Sequence, residues 1–320
     1  MKIDVHAHFY PLDYLREIER LADRASLRDQ AWLGINQRKV NPTPTMWSVD
    51  ERLAEMEQAG IDMQVLSLSI PNVYFQERET CRALAQSTNE ALADICAKHP
   101  QRFKALASVP LPYVNDAIDE IRRAIKELGL HGLVLGSNVN GKPLNSPEFM
   151  PFYEEVDRMG LAILIHPMIP MGIEVLGEYD LAASAGFLMD TTVAATRMAY
   201  SGIFERCQNL RVIIPHLGGT IPYIIGRIDN AFRTRPECQL HISQPPSHYL
   251  KRLYIDTVNF HLPALRCALD TFGVGRFLLG SDYPFALGSM EKSVEGIRAL
   301  GLAPEDEERV FSGNVLGILR

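Results

Sequence analysis

The sequence predicts a closed (β/α)8 barrel of the TIM type, on three observations. Eight short runs rich in β-branched residues recur along the chain, separated by longer segments with helical periodicity. Most of these runs are nearly continuous in apolar residues rather than alternating, which suits parallel strands covered on both faces. The length of 320 residues, more than twice a typical domain, suits one barrel with long loops as well as it suits two domains. The expected strands are residues 3–6, 63–68, 103–109, 132–136, 162–166, 212–215, 253–257 and 277–280. Strand–helix alternation repeated eight times is the mark of a closed barrel. No GxGxxG follows the first run, which argues against an open doubly wound sheet.

The helices between the strands carry their own signals. Ser48-Val-Asp-Glu51 reads as a capping box opening a helix that stops at Gly60. Ser146-Pro147 places an N-cap and an N1 proline before a helix running to Gly160. After Gly218-Gly219, Thr220 is placed to cap a helix with Ile221, Ile224, Ile225 and Ile228 on one face. Two connections exceed the usual loop length. Residues 9–47 form an expected insertion between strands one and two. Residues 167–184 follow strand five and hold Met168, Met171 and Tyr179, with Phe187 close by. Both leave strand C-termini, the face on which barrels carry active sites. No linker or low-complexity tract interrupts the chain, so residues 1–320 are expected to form a single domain.

Composition narrows the function. Apolar residues at 47% and charged residues at 22% fit a globular protein rather than a disordered one. With 32 Lys+Arg against 39 Asp+Glu, the formal net charge of −7 is the wrong sign for a phosphate backbone. No apolar run approaches a membrane span, and MKIDVHAHF lacks a signal peptide's apolar centre. Neither nucleic acid nor membrane is therefore an expected partner. Cys81, Cys96, Cys207, Cys238 and Cys267 are odd in number and scattered without a CxxC. They are expected to be free thiols in a reducing cytoplasm.

The chemistry gathers at the strand ends. His6-Ala7-His8 closes the first strand, and a period of two puts both imidazoles on one face. His166 ends strand five, His216 follows strand six and Asp282 follows strand eight. Barrel closure brings these ends into one ring, with strand eight beside strand one. Three of these imidazoles and the carboxylate around an open position suit a catalytic divalent ion, zinc foremost, with manganese or cobalt as alternatives.

The stretches IDVHAHFYP, LIHP, FERCQNLRVIIPHLGG, GRIDNAFR, LLGSDYPF and SGN, in that order from residue 3 to residue 314, resemble the amidohydrolase superfamily. The branch they resemble is that of aminocarboxymuconate semialdehyde decarboxylase. The resemblance implies that His6, His8, His166 and Asp282 are the ligands of one metal ion. It implies that His216 acts in proton transfer beside the metal-bound water. It further implies that Arg227 reaches a substrate carboxylate in the neighbouring subunit of a dimer. Binuclear relatives place a lysine at the end of strand four, where this chain has Leu135-Gly136-Ser137-Asn138, with Lys142 too far on; one metal follows. Arg38 lies nearest to the family's substrate arginine in the first insertion, while Arg52 keeps that arginine's spacing to Trp47.

The expected activity is non-oxidative decarboxylation of a small carboxylated aromatic or unsaturated acid, with the metal as Lewis acid. His216 would shuttle the proton and Asp282 would deliver it to the carbon that loses CO2. Arg227 and Arg38 would pair with a second carboxylate. The alternative is a metal-dependent hydrolase or hydratase acting on a lactone, amide, ester or unsaturated acid with the same residues.

Overall fold

All eight expected strands form, most of them shorter than the apolar runs that announce them. They are β1 (Ile3–His8), β2 (Met63–Ser67), β3 (Phe103–Ala105, resumed at Ala107–Ser108), β4 (Leu133–Gly136), β5 (Ala162–His166), β6 (Arg211–Ile214), β7 (Tyr254–Asp256) and β8 (Phe277–Leu278). The computed structural model describes residues 1–22, 43–75, 77–170 and 172–319. Arg38, Met171 and most of the expected 9–47 insertion lie outside the described residues. Of that insertion the described part is a helix, α1 (Leu12–Ala22), and a short turn at Pro44–Met46.

The strands pair in parallel and in chain order, β1–β2–β3 and then β3 through β8. The seam between β8 and β1 is closed by Val5 N donating to Leu279 O at 2.9 Å and Asp282 N donating to His6 O at 2.8 Å. A further bridge joins Ala7 to Tyr283. The last strand thus touches the first, and the ligand-bearing residue Asp282 is fixed directly to a ligand-bearing strand.

Inside the barrel, Val5, Val65, Leu106, Val134, Leu164, Ile213 and Leu278 form a cluster separate from the helix-facing core. Val315 and Ile318 of the C-terminal segment join this cluster together with Ile3 and Met63, at the N-terminal ends of the strands. On β5 the same parity that turns Leu164 inward turns His166 inward. On β1 it does not. Ile3 and Val5 face inward, so strict alternation would send His6 and His8 to the helices. The register resolves the conflict: Asp4 pairs with Gln64 and Ala7 with Leu66, so Val5 and His6 together oppose one residue. This bulge shifts the parity and brings both histidines inward.

Among the described residues one main helix follows each strand on the outside: α2 (Val49–Ala59), α3 (Arg78–Lys98), α4 (Val114–Lys126), α5 (Met150–Met159), α6 (Phe187–Tyr200), α7 (Ile221–Thr234), α8 (Leu262–Phe272) and α9 (Met290–Ala299). One arm of the capping box forms, with Ser48 Oγ accepting from Glu51 N, while Ser48 N donates to Pro44 O instead of to the Glu51 side chain. Gly60 and Gly160 end their helices at φ 65° and 63°, a region where glycine carries no Cβ penalty. Two caps differ from expectation. Ser146 donates to Pro143 O instead of capping, and a 3-10 turn (Pro147–Phe149) precedes α5. Thr220 does not cap α7: its hydroxyl meets Thr192 Oγ1 at 3.1 Å, tying α7 to α6. Ser146 thus turns back to a local carbonyl and Thr220 to a tertiary partner, in place of the orphan amides of their own helices. All five cysteines are free, and no helix among the described residues is long and apolar enough to cross a membrane.

Candidate metal centre

His6, His8, His166 and Asp282 stand together at the C-terminal end of the barrel, each offering one ligand atom within 4.8 Å of the others, and all four are buried. Asp282 divides its two oxygens. Oδ1 faces the three histidines, at 3.2 Å from His6 Nε2, 3.2 Å from His8 Nε2 and 3.9 Å from His166 Nε2. Oδ2 lies 3.5 Å from Nε2 of His216. The fifth residue of the expected ring is therefore beside the four-ligand cluster rather than within it.

Each histidine of the cluster is turned the same way by a partner on its far nitrogen. His6 Nδ1 meets Asp256 Oδ2 at 2.6 Å, and His8 Nδ1 meets Ser67 Oγ at 3.2 Å. His166 Nδ1 meets Pro167 O at 3.0 Å and Ser69 Oγ at 3.2 Å. A proton on every Nδ1 leaves every Nε2 as a lone pair directed inward, the arrangement that metal-ligating histidines require. His6 Nε2 is buried without a hydrogen-bond partner, and a buried polar atom left this way is costly unless something binds it. Three inward imidazole lone pairs and a carboxylate fit one divalent ion. These four residues form a divalent-metal site.

The electrostatics agree. Burial would push the Asp282 carboxyl up, but the charge on His6 and the close approach of the His166, His216 and His6 rings hold it well below the usual carboxylate range. Burial opposes protonation of His6, yet Asp282 on one side and Asp256 on the other raise it to about 10. His8 is lowered by burial and then by neighbouring His166, and burial takes His166 down to about 4. An ionised carboxylate among imidazoles that cannot all carry protons is a cluster poised to exchange protons for a dication.

The backbone around the site is bent to suit. Asp282 sits at φ 61°, and His216 and Leu217 at φ 52° and 61°. Such left-handed non-glycine residues cost about 1–3 kcal/mol each and persist where the surroundings hold them. Asp4 supports the Asp282 turn from outside the wall, accepting from Ser281 N at 3.0 Å and Ser281 Oγ at 2.6 Å. Arg52 supports β1 in a similar way. It is fully buried on α2, donates to Gln64 Oε1 at 2.8 Å, to Thr45 O at 3.1 Å and to His8 O, and packs on the Tyr283 ring at 4.6 Å. Its guanidinium grips the wall rather than any pocket, so a role toward substrate does not fit it. Burial lowers it to about 10, which leaves it charged at neutral pH.

Arg227 is exposed on α7 and makes no hydrogen bond or ion pair with a described residue. Four residues before it, on the same helical face, Tyr223 is 89% exposed. Asp256 was not anticipated from the sequence. Its signal there is a lone carboxylate closing the run Leu253-Tyr-Ile-Asp256, at the strand end where the other polar site residues fall.

A family model described as amidohydrolase matches residues 3–318. The chain is 32% identical over 333 residues to a 2-amino-3-carboxymuconate-6-semialdehyde decarboxylase of Dictyostelium discoideum, covering 100% of this chain and 91% of that protein. It is 30% identical to a gamma-resorcylate decarboxylase of a Rhizobium strain, over 83% of this chain and 85% of the relative. Among solved structures it is similar to 5-carboxyvanillate decarboxylase of Sphingomonas paucimobilis, with a TM-score of 0.90, 28% identity and coverage of 99% and 98%.

Proposed function

The chain belongs to the amidohydrolase family, and from this premise we propose that its metal centre removes CO2 from a small ortho-substituted aromatic carboxylate. The chain is a metal-dependent carboxy-lyase of the decarboxylase branch. The observation that carries the finer reading is the divided carboxylate of Asp282, one oxygen toward the metal cluster and the other 3.5 Å from His216. A ligand that also touches a proton carrier can serve binding and proton delivery at once.

Held by His6, His8, His166 and Asp282, the ion, zinc foremost with manganese or cobalt as alternatives, would supply Lewis-acid attraction for an anionic substrate. The protein does the rest. His216 Nε2 passes a proton to Asp282 Oδ2, which delivers it to the ring carbon bearing the carboxylate. The bond from that carbon to the carboxylate then breaks, its electron pair stays with the ring and CO2 leaves. The Phe285 ring, 5.2 Å from that of His8, offers an apolar wall for an aromatic substrate and keeps water from the reacting carbon.

Arg227 serves the site of a second copy of this chain. Exposed Tyr223 shares its face of α7, and exposed Met189 and Val193 stand on α6 alongside. An apolar patch around an unpaired arginine suits an isologous contact that carries a cation across. Arg227 and Arg38 are the substrate-carboxylate residues in this reading, which holds residues 1–320 as one domain in a cytoplasmic homodimer or higher homo-oligomer.

Protein loaded with Zn2+ or Mn2+ and incubated with gamma-resorcylate, 5-carboxyvanillate and 2-amino-3-carboxymuconate-6-semialdehyde should release CO2 in step with substrate loss from at least one. Acid formed from a lactone panel with no CO2 from any carboxylate would sink the reading. For the shared site, Arg227→Ala and His166→Ala proteins should each be inactive alone, yet regain activity after subunit exchange. No recovery in mixed dimers would remove Arg227 from the neighbouring site.

A further inference from the structure

The metal ligand His6 and the proton carrier His216 stand on β1 and just after β6, and neither touches the other through a hydrogen bond. One carboxylate nevertheless holds both. Asp256 ends β7, is fully buried, and splits its oxygens as Asp282 does. Oδ2 takes His6 Nδ1 at 2.6 Å. Oδ1 accepts from Leu217 N at 3.2 Å and from Val258 N at 3.0 Å. Leu217 is the second residue of the left-handed pair that begins at His216, so the Asp256 hydrogen bond lands on the strained turn itself. From this geometry we propose that Asp256 is a positioning residue that couples the metal centre to the proton carrier. With one oxygen it fixes the tautomer of His6, and with the other it holds the turn that aims His216. The second arm rests on the reading of His216 as proton carrier; the first does not.

Three observations support a built device rather than a buried acid that found chance partners. Both oxygens are used, two backbone N–H groups donate to Oδ1, and against an acceptor-only carboxylate oxygen His6 Nδ1 must donate as well. The site reserves space for it: a Cβ on Gly280 would lie 2.7 Å from Asp256 Cβ and 3.1 Å from His6 Cβ. The conformation it secures is one that unsupported non-glycine residues leave, at about 1–3 kcal/mol for each.

The chemistry of an amide identifies the decisive variant, Asp256→Asn. Its side chain would own one acceptor and one donor where the native carboxylate has two acceptors. If the amide oxygen stays with the Leu217 and Val258 N–H groups, the NH2 faces His6 Nδ1 and forces the proton to Nε2, where it blocks the metal. If the amide turns over, its NH2 opposes two backbone donors and the His216 turn loses its anchor. The substitution therefore cannot satisfy both arms, although the new group is nearly isosteric with the old.

The experiment measures Mn2+ affinity by titration and amide hydrogen exchange across residues 215–219 on the loaded protein, neither of which needs a substrate. Asp256→Asn should bind Mn2+ about 10–100-fold more weakly, the usual cost of losing a partner behind a ligand. Exchange at Leu217 should quicken in the same variant. With a decarboxylated substrate in hand, kcat at saturating metal should fall with little change in KM, and its loss should overlap that of His216→Ala rather than add to it. Wild-type Mn2+ affinity in Asp256→Asn would overturn the proposal. Weakened affinity with unchanged exchange at Leu217 and additive kcat losses would overturn the coupling. If Asp256→Asn does not fold, Asp256→Ser removes both carboxylate acceptors without added bulk against His6, and the same readouts decide.

Discussion

The two ends of the barrel are built from the same eight strands under opposite rules. Toward the N-terminal end the inward residues are apolar and fill the space, and Val315 and Ile318 of the C-terminal segment pack into them. Toward the C-terminal end the inward residues are His6, His8, His166 and Asp282, and two buried nitrogens there, His6 Nε2 and His216 Nδ1, have no hydrogen-bond partner. The backbone differs as well. The mouth holds His216, Leu217 and Asp282 at positive φ, whereas no residue of the interior cluster adopts it. The lesson is a division of labour. Dispersion and area burial in the lower layer, about 1.5–3 kcal/mol for each filled aliphatic side chain, offset the strain and unsatisfied polarity that the upper layer keeps for chemistry.

Four measurements sharpen or break that contrast. The largest effect is expected at the mouth. His166→Ala removes one of three inward imidazoles, and metal affinity should fall by more than the ~10–100-fold typical of an outer partner, with activity lost and the fold kept. Tight stoichiometric metal in that variant, by elemental analysis after dialysis, would take His166 out of the ligand set. His216→Asn comes next. It should retain the metal while kcat drops about 10²–10⁴-fold, the usual share of a general acid–base group; retained activity would end the proton-carrier role.

At the other end the currency is stability. Leu106→Ala cuts a fully buried side chain out of the interior cluster and should cost about 2–5 kcal/mol in denaturant unfolding, with Mn2+ affinity unchanged. A loss of metal binding there would mean the two layers are not separable. The smallest effect concerns His131, ahead of β4, whose Nδ1 accepts from Ala105 N at 3.3 Å. Burial, then nearby Lys104, lowers it from 6.5 to about 4. The folded state therefore prefers the neutral ring: stability is complete above pH 6.5 and declines as pH falls from 6.5 toward 4, where the unfolded chain takes up the proton first. The share of His131 is at most ~2 kcal/mol after allowance for its partial exposure. Comparing the acid limb of wild type with that of His131→Gln, which should be flatter, measures it.

Much of this was legible in the sequence. Apolar runs located every strand, because a strand covered on both faces must be apolar along its length. The ring of His6, His8, His166, His216 and Asp282 was legible because all five fall at strand C-termini, which closure gathers, and the family resemblance implied which four are ligands. Arg52, five residues after Trp47, shows where that reasoning stops. Its spacing matched a family residue, yet packing turned its guanidinium into the wall beside His8 O, Gln64 and Tyr283. Thr220 shows the same limit at smaller scale, drawn from its expected cap to Thr192 on α6.

The sequence by itself determined the barrel, the kind of ligand and the end of the barrel that holds the site, because periodicity and residue type are local properties. Only the tertiary structure decided that a bulge at Val5 and His6 turns both histidines inward, since parity depends on the register of the neighbouring strand. Only it showed Asp256 reaching His6 from 250 residues away while holding the turn behind His216. Which partner a buried carboxylate meets is settled by packing between distant segments, and no local pattern encodes it.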